Sequence, residues 1–117
     1  MRNFRLLDCW KLGMDIVKLT YVLLKKLPPS ENFSLRSQMS RAAISMPSNI
    51  AEGCGRNSKK EMGRFFEIAV SSAFELETQL LAGQLVNYFD QEDVNNLLPK
   101  IQDFQRKTNS YRLKILS

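Results

Sequence analysis

Gln38, Arg41, Ser45, Ser48 and Glu52 recur at alternating three- and four-residue spacing, so they share one face of a helix, and all of them are polar. Side chains of these types can build hydrogen bonds and an ion pair. They include no nucleophile beside a base and no metal-binding set. Ser72, Glu75 and Gln79 make a second polar row further along the chain. Arg41 and Glu75 could pair across a seam between the two helices, with Gln38, Ser45, Asn49, Glu52, Ser72 and Gln79 completing the hydrogen bonds. Buried networks of this kind specify register or assembly more dependably than they add stability. A solvated face is the plainer reading. Asn49 weighs against it, because it stands on the apolar row of Leu35, Met39, Ala42, Met46 and Gly53.

Other chemistries find no support. The chain has no His, which excludes the usual di-iron site of helical bundles. Glu52, Glu67, Glu75 and Glu77 could offer oxygen ligands to magnesium, but no spacing gathers them. Cys9 and Cys54 have no metal-ligand spacing and no histidine base, and suit a reducing cytoplasm. There is no glycine-rich phosphate loop. The expectation is a protein without catalytic residues, metal or cofactor.

The elements that would position these side chains are helices. In the first, roughly Leu7 to Leu27, the row Trp10, Met14, Val17, Tyr21 and Leu24 reads as the core face, and Pro28 and Pro29 stop it. The second starts at Ser34, a good N-cap residue, and ends near Gly53, with Gly55 as a second terminator. Pro47 falls inside it and predicts a kink. The third opens on the capping-box sequence Ser58-Lys59-Lys60-Glu61 and carries Met62, Phe66, Ala69, Ala73, Leu76, Leu80 and Gly83 at heptad spacing. The fourth, after Asn87–Asp90, carries Val94, Leu97, Ile101, Phe104, Thr108, Tyr111 and Ile115, with Pro99 interrupting it two turns in. Phe33, Tyr88 and Tyr111 read as core or loop anchors rather than base-stacking platforms.

Residues 1–117 therefore form one domain, an all-α, antiparallel up-down-up-down four-helix bundle. A hydrophobic share of 44% is enough for a core and argues against disorder. The most apolar region, residues 12–24, contains Asp15 and Lys18 and cannot span a bilayer. Charge breaks the opening residues too early for a signal peptide, which points to the cytoplasm.

The net charge of +5 becomes informative once the topology sorts it. Arg2, Arg5, Arg56, Lys59, Lys60, Arg64, Arg112 and Lys114 fall at one end of such a bundle, against Asp8 and Glu61. Lys25, Lys26 and Arg36 fall at the other, against Glu31, Asp90, Glu92 and Asp93. Lys59 and Lys60 occupy a helix start, where the macrodipole disfavours cations by about 0.3–1 kcal/mol. An incoming anion would offset that cost, and exposed amides at a helix start bind phosphate. Arg2, Arg5, Arg56, Lys59, Lys60 and Arg64 are thus the candidate nucleic-acid contacts.

The residues Gln38, Arg41-Ala42, Ser45, Asn49-Ile50-Ala51-Glu52-Gly53 and Arg56, followed by Phe65, Ala69, Ser72, Glu75-Leu76 and Gln79-Leu80, closely resemble a known family. It comprises the four-helix-bundle proteins encoded in intervening sequences of bacterial large-subunit ribosomal RNA genes. The resemblance runs from Trp10 through the third helix and weakens in the fourth. It implies a small cytoplasmic bundle assembled into a ring of five, with no established catalytic activity. Related bundles are accessory subunits of diversity-generating retroelements, where a basic ring contacts nucleic acid and a reverse transcriptase. Together these readings predict a homopentameric, non-catalytic bundle that binds RNA or DNA through phosphates. The alternative is a protein-interaction scaffold with incidental charge.

Overall fold

The computed structural model describes residues 2–117. Four long helices, α1 (Asp8–Leu24), α2 (Leu35–Cys54), α3 (Lys59–Leu85) and α4 (Gln91–Leu116), account for nearly all of it, with short 3-10 turns at Phe4–Leu6 and Pro29–Glu31. Helices adjacent in sequence pack side by side, and α4 closes the bundle against α1. Side-chain contacts at both ends fix an antiparallel course. Lys26, just past α1, reaches Asp93 at the start of α4, while Leu116 at the end of α4 lies over Gly63 at the start of α3.

The heptad rows of the last two helices are the core. Phe66, Ala69, Ala73, Leu76 and Leu80 on α3, with Ile101 and Phe104 on α4, are completely buried. Tyr111 is half-buried and stacks on Phe66. Helix α1 departs from its expected face. Of the row Trp10, Met14, Val17, Tyr21 and Leu24, only Leu24 is buried; the core takes Cys9, Gly13, Ile16, Thr20 and Leu23 instead. This helix is apolar around more than half its circumference, so periodicity alone offers two faces. Gly13 decides between them: a side chain there would come within 3.2–3.3 Å of Phe104 and Pro47, so close approach of α1 needs the glycine face turned inward.

Both internal prolines are accommodated without a break. Helices α2 and α4 run continuously through Pro47 and Pro99. Capping is partly as expected. Ser58 accepts a hydrogen bond from the Glu61 amide at the start of α3. Ser34 holds the N-cap position of α2 but caps no amide itself. Its hydroxyl donates to Glu31, whose carboxylate accepts from the Leu35 amide in its place. Tyr88 donates to the other oxygen of Glu31 and so anchors the α3–α4 loop, whereas Phe33 is 98% exposed and anchors nothing. Asp90 and Asp93 form a reciprocal capping box on α4.

Gly53 explains the end of the Asn-Ile-Ala-Glu-Gly run in physical terms. A Cβ there would sit 3.0 Å from the Phe66 ring and 3.1 Å from the Met62 carbonyl, where α2 meets α3. The carbonyl belongs to a helix and cannot yield. Overpacking costs about 1–3 kcal/mol and alanine returns at most about 1 through helix propensity, so Gly53→Ala should destabilise by about 1–2 kcal/mol. Gly55→Ala meets only the Glu52 carbonyl, at 3.5 Å, and should be close to neutral. Paired urea melts of the two variants check the contrast.

Candidate nucleic-acid interface and polar seam

The fold gathers the predicted basic residues at one end. Arg2 donates its amide to the Cys54 carbonyl at the end of α2 and its guanidinium to the Tyr111 hydroxyl on α4. Arg5 lies over the Phe4 ring, 4.4 Å from its centroid. Arg56 pairs with Glu52 at 2.7 Å and stacks on Phe65. Lys59, Lys60 and Arg64 are exposed, and among the described residues their side chains have neither ion-pair nor hydrogen-bond partners. They crowd the α3 start, where free amides and the macrodipole already carry positive potential.

The opposite end uses its cations internally. Arg36 donates to the carbonyls of Leu24 and Leu27 at 2.6 and 2.7 Å, capping the end of α1. Lys26 sits 2.7 Å from Asp93, and that hydrogen bond raises the lysine pKa. Of the three cations at that end, Lys25 alone has no partner among the described residues. The contrast between ends thus lies in how the cations are used as well as in their number.

Arg106 and Lys107 extend the basic end along α4 and escaped the sequence reading. With Lys114, Leu6 and Leu7 they line an open groove between the N-terminal turn and α4. Both contact Asp103, at 3.6 and 3.4 Å. Their positions seven and eight residues before Lys114, about two helical turns, were the available signal.

The polar seam forms in reduced extent. Ser45 and Ser72 hydroxyls meet at 2.8 Å between α2 and α3, and the Asn49 amide donates to both the Ser45 hydroxyl and its carbonyl. Gln79 is buried, and its side-chain oxygen has no partner. The expected Arg41–Glu75 pair is absent. Both side chains are exposed and make no ion pair among the described residues, and Gln38 is exposed with them. Glu52 turns to Arg56 instead of the seam. The reason is rotational: Arg41, Ser48 and Glu52 face outward from α2, while Ser45 and Asn49 face α3.

Burial pushes the Cys9 thiol up to about 11 and raises Cys54 as well, so both are protonated at neutral pH and poorly nucleophilic. Among the described residues no group of three His, Cys, Asp or Glu could hold a metal ion. No described helix is long and apolar enough to cross a membrane.

A sequence model of the 23S rRNA-intervening sequence protein matches residues 5–110. The chain belongs to that family. The match includes α1, α2, α3 and most of α4, and so takes in the polar seam and five of the six candidate basic residues. No curated protein matches this intervening-sequence protein. Its fold is similar to a crystal structure, at 1.70 Å resolution, of a protein with unknown function from the S23 ribosomal protein family of Bacteroides thetaiotaomicron VPI-5482. The two share 19% identity with a TM-score of 0.82, over 89% of this chain and 97% of the other. At that identity the likeness establishes the shared bundle and nothing finer.

Proposed function

We propose that this intervening-sequence protein is a non-catalytic homo-oligomer, a ring of five, that binds RNA or DNA by its phosphates at the basic end. The observation that carries the reading is that Lys59, Lys60 and Arg64 have no partner among the described residues, the two lysines standing in a first helical turn that already repels cations. Phosphate is the ligand such a site favours, since lysine, arginine and free amides all donate to it. The absence of histidine and the protonated thiols favour a binding role over catalysis. The outward rows around Arg41 and Glu75 favour self-assembly, which would repeat the basic end around one axis. A role beside a reverse transcriptase is an extension of the same reading, in the cytoplasm.

Fluorescence anisotropy with unrelated RNA and DNA oligonucleotides tests it. Affinity should fall linearly with the logarithm of salt, by about 0.7–0.9 log units per phosphate contact, and should depend little on sequence. Light scattering at micromolar concentration should return a multiple of the protomer mass. The exposed apolar side chains on two faces favour a second reading, a scaffold for other proteins with incidental charge. Absence of binding even at low salt would leave that second reading in possession.

A further inference from the structure

Phe74 is 55% exposed and borders a groove of about 450 Å³ between α3 and α4. The same groove is lined by Arg106, Asn109 and Arg112 from α4 and by Glu67 and Ser71 from α3. It gathers an aromatic face, two guanidiniums and neutral hydrogen-bonding side chains in one concave surface. An apolar partner would leave the guanidiniums unpaired, and a bare phosphate would make no use of the ring.

The groove continues the basic end. Lys60, Arg64, Glu67, Ser71 and Phe74 recur at alternating four- and three-residue spacing, so they stand in one line along α3. Arg64 and Phe74 are ten positions apart in that line, about 15 Å. Across from it on α4, Arg112 lies beside Glu67, and Gln105 reaches Glu77 just past Phe74. From Lys60 inward the line therefore meets Arg64, then Arg112, and last the Phe74 ring with Arg106.

Both guanidiniums are held only weakly. The Arg112 Nε donates to the Asn109 Oδ1 at 3.2 Å, which orients the side chain toward the groove. Its contact with Glu67, at 3.8 Å, is too long for a hydrogen bond. Arg106 stands 3.6 Å from Asp103. Among the described residues Glu67 is the one carboxylate lining the groove, and at 69% exposure it is free to turn away from an incoming phosphate.

We propose that the α3–α4 groove takes an unpaired base of single-stranded RNA or DNA, stacked on Phe74, with the adjoining phosphates on Arg106 and Arg112. This rests on the nucleic-acid reading above and specifies the form of the ligand. A single strand offers the face of a base, whereas a duplex keeps those faces stacked inside and presents phosphates and base edges. Stacking on an aromatic ring tolerates any base, because each has a π-face. The groove thus adds selectivity for strand form without selectivity for sequence.

Fluorescence anisotropy on the full chain tests this, with short single-stranded RNA and DNA set against duplexes of equal phosphate count at one salt concentration. Single strands should bind more tightly than duplexes. Phe74→Leu keeps the apolar bulk but removes the π-face. It should weaken single-strand binding by about 5- to 150-fold per stacked base and leave duplex binding unchanged. Phe74→Trp should retain the preference for single strands. Arg112→Gln should lower the salt slope for single strands by about 0.7 and leave the slope for duplexes as it was. Circular dichroism melts and light scattering should show the fold and mass of the natural chain in each variant; a changed mass in Phe74→Leu would place Phe74 in a subunit contact and overturn the assignment. Equal affinity for single strands and duplexes, or a Phe74→Leu chain that binds single strands as the natural one does, would overturn the stacking site while phosphate binding at the basic end stands. A natural chain that binds neither form even at low salt would overturn both readings.

Discussion

Phe104→Ala should remove about 3–5 kcal/mol of stability, the range for truncating a buried phenylalanine. Phe104 is fully buried on α4, and its ring reaches across to the space that Gly13 leaves open on α1. The ring is therefore a central packing contact between the first and last helices. Neighbours cannot collapse into its place cheaply, because Pro47 and the α1 backbone already press on the same spot. A domain of this size is stable by only about 5–15 kcal/mol, so the variant should lose a large fraction of that margin. The corresponding drop in melting temperature is on the order of 10–20 °C. Phe33→Ala serves as the control: at 98% exposure its truncation removes little buried surface and should leave stability nearly unchanged. Both melts must be taken at one protomer concentration, since self-association adds to apparent stability by mass action. A Phe104→Ala melt within 1 °C of the parent would show that this side chain does not hold α1 against α4.

How far the sequence could be read depended on how many answers each helix permitted. Helices α3 and α4 each hold one row at strict heptad spacing, and that row is buried from Met62 to Gly83 and, but for the half-buried Tyr111, from Val94 to Ile115. Helix α1 offers two adjacent rows. Choosing between them required knowing that Gly13 faces Phe104 across the bundle, a long-range fact that periodicity does not carry. The same limit applied to polar residues. Spacing put Arg41 and Ser45 on one face of α2, but which edge of that face points to α3 depends on the rotation of the helix. Ser45 does and Arg41 does not. Capping at Glu31 was hidden for a related reason: the carboxylate acts from a 3-10 turn ahead of the helix, outside any pattern counted from its first residue. The charge asymmetry was legible because it needs only the order of the helix ends. The use of Arg36 as a cap for α1 was not, since it depends on side-chain reach.

Replacing Arg56, Lys59, Lys60 and Arg64 together by glutamine should flatten the salt dependence of nucleic-acid binding by about 3 log units per log unit of salt. The figure is four phosphate contacts at roughly 0.7–0.9 each. At fixed low salt the same change should weaken binding by orders of magnitude. Replacing Lys25 and Lys26 at the other end should do much less, because Lys26 is already committed to Asp93. Stability provides an independent check that the quadruple variant is folded. Arg56 gives up an exposed pair with Glu52 and its place over Phe65, worth up to about 1 kcal/mol each at a surface. Lys59 and Lys60 give up an unfavourable position in the first turn of α3, which returns about 0.3–1 kcal/mol apiece. The two contributions oppose each other and are of similar size, so the melting temperature should move little. A large loss of binding without loss of stability would locate the nucleic-acid surface on these residues. Losses in proportion to the charge removed, two to one, would make binding a matter of net charge, since +5 falls to +1 in one variant and to +3 in the other. The structural difference between the ends argues for the first outcome: three of the four replaced side chains at the basic end lack any partner among the described residues, whereas the acidic residues at the other end already hold one of the two replaced there.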